Sequence, residues 1–404
     1  MAARSGNGVS GRVVSGGSVA EGFEPVRAAF ESNFGGRDEL GASVALYRGA
    51  EPLVDLWGGY RDVAGTRPWE RDTMVLVFST SKGLAGLAVA LTHSRGLLDF
   101  EERVATYWPE FAQHGKGAIT VRQLLSHQAG LPAVDQRLDA GVMADLDRMA
   151  SILARQRHAW EPGTRHGYHG LSLGWYENEL IRRVDPAHRS LGRFFHDELA
   201  VPLGLDFHIG LPADIPESRV AEIDGFTSLQ MVLHLNVMPA GMVLAHMWPG
   251  SLVARTMGNP RLRGPADINR PEYRRVEWPA GNGTGTVRSI ARAYAEFASG
   301  GGALGIRPET LRALEEATPP PSGGTRDVIL KVDTCLSMGM WKPSPSFRFG
   351  SSERAYGTVG MGGSFGFADP DTGTGFAYAP NRLGFHIWDD PREKALRDAL
   401  VACL

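Results

Sequence analysis

Ser79 and Lys82 stand three apart in the run Phe78-Ser79-Thr80-Ser81-Lys82. On a helix that spacing puts a hydroxyl and an amine on one face, within reach of each other. A serine in the first turn has a backbone N–H without an intrahelical acceptor, available to any acyl oxygen that its own hydroxyl attacks. The helix N-terminus favours a developing oxyanion and disfavours a second cation, so a buried Lys82 is biased to the free amine and can take the serine proton. One short segment thus holds a nucleophile, a base and half of an oxyanion hole. Alone the pair is weak evidence. Chance placement of 25 Ser and five Lys gives about 0.3 such pairs, and a capping serine followed by a solvated lysine has the same spelling.

Three further segments supply context. In TVRQLLSHQAGLP (120–132) an amphipathic helix ends at Ser126-His127, with His127 read as a helix-terminal residue. In WEPGTRHGYHGLSLGW (160–175) a Pro-Gly loop delivers Tyr168 just before a helix. In isolation Tyr168 reads as a packing residue; beside an amine, its phenol is expected to be partly ionised and to serve as a proton relay. In YGTVGMGGSFGFADP (356–370) a Gly-rich strand edge can line a cleft, and the N–H of Met361 can complete the oxyanion hole.

The surrounding pattern says what must position these groups. Residues 20–34 have helical spacing and stop at Gly35-Gly36; GASVALYRG and EPLVDLWGGY read as a hairpin; 79–96 is an Ala/Leu-rich helix. From 100 to 285 the pattern is mostly helical. β character returns in DVILKVDTCLSMGMW, GGSFGFADP and TGFAYAPNR before a last helix, PREKALRDALVACL. Early and late β runs can share one antiparallel sheet, with the helical middle inserted between them. The expected organisation is a flexible tail over 1–19, an α/β domain from 20–99 plus 286–404, and a mainly helical insertion over 100–285, with a cleft between the lobes.

Together the four segments resemble the serine β-lactamase / penicillin-binding-protein superfamily, most closely its class C-like branch of family VIII carboxylesterases. The likeness runs from about residue 20 to the end, with the motifs in order. Ser79-Thr80-Ser81-Lys82 is similar to that family's Ser-x-x-Lys, LLSHQAGLP to its LLxHxxGLP, and Tyr168-His169-Gly170 to its Tyr-x-Asn in the esterase spelling. The resemblance implies a β-lactamase-like α+β fold, with Ser79 as nucleophile, Lys82 as base, Tyr168 as relay and no cofactor or metal. Thr358-Val359-Gly360 stands where β-lactamases have Lys-Thr-Gly, and Gly170 where they have an amide side chain. Both departures count against efficient β-lactam hydrolysis and favour a neutral ester or acyl thioester. Thr358, Val359, Gly360, His127 and Gly170 form the expected substrate-binding set, and Ser79 and Met361 the oxyanion hole. The same residues suit an acyltransferase that passes the acyl group to an amine or alcohol. A residual β-lactamase or peptidase and a non-catalytic binding protein fit less well.

Other functions are disfavoured by composition. The 404 residues carry 42 basic and 45 acidic side chains, a net charge of −3, unlike a nucleic-acid binder. Two cysteines make neither a disulfide framework nor a thiolate metal site. No apolar run approaches the ~20 residues of a membrane helix, and the Gly/Ser-rich start has no signal-peptide core, so a cytoplasmic protein acting on a small molecule is expected. Gly362-Gly363-Ser364-Phe365-Gly366 spells a nucleophile elbow, but β-like residues follow it where a helix is required. GNGTGTV (281–287) lacks the spacing of a phosphate loop. Residues 231–257 hold five of the 12 methionines, read as core filler in preference to an acyl-binding surface.

Overall fold

The early and late β runs meet in one sheet. In the computed structural model, which describes residues 15–404, six strands take the order β1 (Ser15–Val19), β3 (Glu51–Gly59), β2 (Gly41–Arg48), β9 (Thr374–Pro380), β8 (Phe365–Asp369), β7 (Tyr356–Val359). Neighbours are antiparallel throughout. The junction of the chain's two ends is β2 on β9, in register from Ala42 opposite Pro380 to Arg48 opposite Thr374. β9 is buried along its whole length, without polar alternation, because helices cover both faces. The Val287–Ala298 helix packs on one face, while the Glu24–Gly36 and Pro391–Val401 helices pack together on the other.

Between β3 and the Val287–Ala298 helix the chain is mostly helical. A small sheet of β4 (Val75–Leu76), β6 (Thr284–Gly285) and β5 (Phe207–His208) ties that region's two ends together. One apolar core runs from Ala45 and Ala377 in the large sheet through the Ser81–Ser94 helix to Leu180 and Phe194. All of Ser81–Ser94 except His93 is buried. A helix that is apolar all round belongs in the centre of a molecule.

Two expectations need correction. Residues 15–19, placed in the flexible tail, form the edge strand β1, because their backbone completes the ladder of β3; residues 1–14 lie outside the described residues. The run 327–341 is not a strand. Asp327 accepts the N–H groups of Ile329 and Leu330 at 2.8 Å each, and Lys331 and Gly339 take φ of 63° and 78°. The apolar run is therefore folded into turns, and only isolated bridges such as Leu336 to Trp341 remain.

Candidate active site

Ser79 lies in a single 3-10 turn, Phe78–Thr80, that leads directly into the Ser81–Ser94 helix. Phe78 takes φ of 47°, a left-handed conformation that costs a bulky residue of order 1 kcal/mol or more. The surroundings hold the turn in place. Val77 N–H donates to Gly283 O at 3.0 Å, Thr80 N–H to Val77 O at 3.1 Å, and Gly283 N–H to Ser81 Oγ at 2.8 Å. From residue 73 to residue 92, Ser79 alone is not buried. The bend leaves Ser79 partly exposed and buries its neighbours.

Lys82 is buried, and its Nζ lies 2.9 Å from Ser79 Oγ, 2.6 Å from Gly170 O and 2.7 Å from Ala280 O. As an ammonium it saturates all three acceptors. As a free amine it gives its two N–H groups to the carbonyls, which leaves the lone pair for the Ser79 hydroxyl. Burial lowers its pKa to about 7, with the charge of Glu177 opposing the shift. The free base is therefore abundant at neutral pH.

Tyr168 meets the pair from the other side. Its ring centre is 5.0 Å from Lys82 Nζ, and its phenol lies near enough to feel the Ser79 side chain. Burial raises the phenol well above its ordinary pKa of 10.0, more than Ser79 lowers it, and the charge of Asp327 adds to the rise. The expected partial ionisation is thus corrected: desolvation dominates, and Tyr168 rests as a neutral phenol.

His127 holds this arrangement from behind. Its Nδ1 accepts the N–H of His169 at 3.0 Å, and its backbone O accepts the N–H of Gly167 at 3.1 Å. His169 Nε2 in turn accepts the N–H of Leu131 at 2.9 Å, and its Nδ1 lies 2.7 Å from Gly167 O. Both rings act as acceptors, which requires neutral imidazole, and burial lowers both pKa values, that of His169 to about 3. His127 was expected to bind substrate. Its side chain is 1 % exposed and stitches the 127–132 loop to the Tyr168 loop, so it positions Tyr168.

The third motif also differs from expectation. Thr358 is buried, with Oγ1 donating to Thr80 O at 3.0 Å and 3.1 Å from Tyr294 Oη. Val359 and Gly360 are buried too. These three brace the Ser79 turn, with the Thr358 and Val359 side chains buried. A Cβ on Gly360 would fall 2.3 Å from Val77 O, so the strand end lies directly on the turn. Met361 follows it in the chain and is 40 % exposed. Gly170 contributes its carbonyl to Lys82, and a Cβ there would lie 3.3 Å from the Tyr168 ring and 3.4 Å from Met257 Cε. Ser364 is turned inward, Oγ donating to Val77 O at 2.8 Å and 3.0 Å from Thr80 Oγ1, and β8 follows it.

A family model described as Beta-lactamase matches residues 26–400. The chain belongs to the beta-lactamase family. It is 34 % identical over 371 residues to Esterase/beta-lactamase LipL of Mycobacterium tuberculosis, covering 89 % of this chain and 81 % of that protein. The crystal structure of a family VIII carboxylesterase, 35 % identical, superposes with a TM-score of 0.84 over 97 % of this chain and 100 % of its own. EstA from Arthrobacter nitroguajacolicus Rue61a, 30 % identical, gives 0.79 over 96 % and 99 %.

Within this beta-lactamase fold, several site residues had escaped sequence reasoning. Ala280 O and Gly283 hold Lys82 and the Ser79 turn; the glycine-rich GNGTG was the available signal, since a Cβ on Gly283 would fall 2.7 Å from Ser81 Oγ. Trp341 stands 6.0 Å from the Tyr168 ring, centre to centre, on a run read as a strand. The methionine-rich segment is divided. Met238 is buried, Met242 and Met257 pack on the cluster that contains Tyr168, and Met247 and Trp248 are exposed. Among the described residues no group of three His, Cys, Asp or Glu side chains could hold a metal ion, and no helix is long and apolar enough to cross a membrane.

Proposed function

We propose that this protein is a serine esterase that acts on a small neutral ester through an acyl-enzyme on Ser79. One observation carries the reading: a buried amine with two carbonyls for its N–H groups and the nucleophile's hydroxyl at its remaining position. Lys82 takes the Oγ proton as Oγ bonds to the ester carbon, and the carbonyl electron pair moves onto oxygen. The N–H groups of Ser79 and Met361 receive that oxyanion. As the C–O bond breaks, the neutral Tyr168 phenol gives its proton to the leaving alkoxide and recovers one from Lys82. Water then enters along the same relay and releases the acid.

A neutral substrate follows from the lining. Thr358 is uncharged and turned into the protein, and Met257, Met361 and Trp341 provide apolar and aromatic surface around the relay. Two unpaired cysteines suit a reducing, cytoplasmic setting. The test is intact-protein mass spectrometry after mixing with short-chain p-nitrophenyl esters. The wild type is expected to gain one acyl group on the peptide containing Ser79 and to lose it in water. Ser79→Ala is expected to gain none. Persistence of the acyl group until an alcohol or amine is added turns the reading to acyl transfer, and turnover by Ser79→Ala overturns it.

A further inference from the structure

Glu177 is fully buried on the Leu173–Val184 helix, and neither carboxyl oxygen has a hydrogen-bond partner among the described residues. A buried carboxyl without a partner is costly and calls for a reason. Its location supplies one. Lys82 and Gly86, four apart, share a face of the Ser81–Ser94 helix. A Cβ on Gly86 would lie 3.1 Å from Met340 Cε and 3.5 Å from Met338 O. In the same loop, a Cβ on Gly339 would lie 3.3 Å from Glu177 Oε1. The carboxyl is thus packed against the loop that also covers the Lys82–Gly86 face; burial raises it to about 8 with the charge of Lys82 opposing that shift, and Glu177 in turn opposes the lowering of Lys82.

We propose that Glu177 is a positioning residue for the electrostatics of catalysis, the countercharge that stabilises the Lys82 ammonium formed when Ser79 gives up its proton. This rests on the esterase reading above. In the step concerned, the Oγ–H bond breaks, an N–H bond forms on Lys82, and the electron pair left on Oγ becomes the bond to the acyl carbon. Glu177 exchanges no proton in this step. Its carboxylate, which burial disfavours and the Lys82 charge favours, compensates a cation made in a wall where burial otherwise drives Lys82 to the neutral amine.

No other charge competes for that role. Tyr168 and His127 also lie near Lys82 and are neutral. The 337–340 loop has no titratable side chain. On the helices packed against Leu173–Val184, the remaining titratable groups are partly or fully exposed: His93, Tyr107, Arg122, Asp147, Arg148, Arg155 and Arg193. Glu179, on the same helix, is paired with Arg182 and Arg183.

The experiment follows Lys82 itself. The chain has only five lysines, so NMR of protein labelled with ε-13C-lysine gives a readable titration, with Lys82→Arg identifying the signal. In Glu177→Gln the Lys82 midpoint is expected to move to lower pH by about one unit. The acid limb of the p-nitrophenyl acetate acylation rate should move with it, and the rate at pH 8.5 should fall about tenfold. Glu177→Asp, which keeps the charge, is expected to lie nearer the wild type in both. A Gln variant with the wild-type midpoint, or with a lower rate but an unmoved pH profile, overturns the proposal. Should Glu177→Gln fail to fold, the wild-type titration decides: the Lys82 signal must show a second inflection from Glu177, and a single-step curve overturns it. Turnover by Ser79→Ala sinks the esterase reading instead, and leaves this titration unaffected.

Discussion

The acylation rate should follow the free-base fraction of Lys82, and the structure sets where that fraction changes. Burial brings Lys82 from 10.5 to about 7. A group with that pKa is about half free base at pH 7, about one-tenth at pH 6 and about one-hundredth at pH 5. A solvated lysine would be only about 0.03 % free base at pH 7, so burial multiplies the competent base roughly a thousandfold. The direction is fixed by the chemistry: the protonated amine has no lone pair for the Ser79 proton, and activity is lost as pH falls. The assay is the burst of p-nitrophenol from p-nitrophenyl acetate in a stopped-flow instrument from pH 5 to pH 9, at constant ionic strength. The expected profile rises about tenfold per unit below pH 7 and levels off above pH 8. Lys82→Arg, whose guanidinium stays charged, should lose about 100- to 10,000-fold at every pH. A burst rate that is flat from pH 5.5 to 8.5, or that begins to rise only above pH 9, refutes the reasoning.

Three more outcomes are expected. Ser364→Ala should keep full acyl-enzyme formation and lose about 1–2 kcal/mol of stability in urea unfolding, from the hydrogen bonds given up to Val77 O and Thr80 Oγ1; loss of acylation with the fold intact would make Ser364 the nucleophile. In Gly83→Ala the new Cβ would meet Tyr294 Oη at 1.8 Å, Thr358 Oγ1 at 2.5 Å and Tyr294 Cζ at 2.9 Å, so a loss of about 1–3 kcal/mol is expected, and only part of it should return in the double variant with Tyr294→Phe, which leaves the last two contacts; no loss in Gly83→Ala would show that the helix and strand separate freely there. His127→Ala removes the acceptor for the His169 N–H and should lower kcat about 10- to 100-fold with KM little changed, whereas a change confined to KM would restore His127 to the substrate-binding set.

Much of the architecture is local enough to be read from one dimension. The β2–β3 hairpin, the buried Ser81–Ser94 helix and the return of β structure after 356 each follow from apolar periodicity with glycine punctuation. The misreadings share a cause. In 327–341 the apolar residues suit a strand, but Asp327 collects two N–H groups and folds the run into turns. In 15–19 a Gly/Ser-rich stretch with little to bury is ordered by the hydrogen bonds of a strand far along the chain. At the third motif Thr358 and Gly360 were legible as a motif, while their inward orientation was not.

By itself, the sequence determined which groups are available and which are neighbours: the Ser79 hydroxyl and Lys82 amine three residues apart on a helix, and a tyrosine at a loop tip. It did so because helical geometry converts spacing into contact without help from the rest of the chain. Tertiary structure alone decided their chemical state. Burial among packed helices lowers Lys82 to about 7, while the carbonyls of Gly170 and Ala280, 88 and 198 residues away, take two of its N–H groups and hold it against the Ser79 hydroxyl. Burial likewise keeps the Tyr168 phenol protonated. Desolvation is a property of everything that surrounds a group, and no short stretch of sequence contains it.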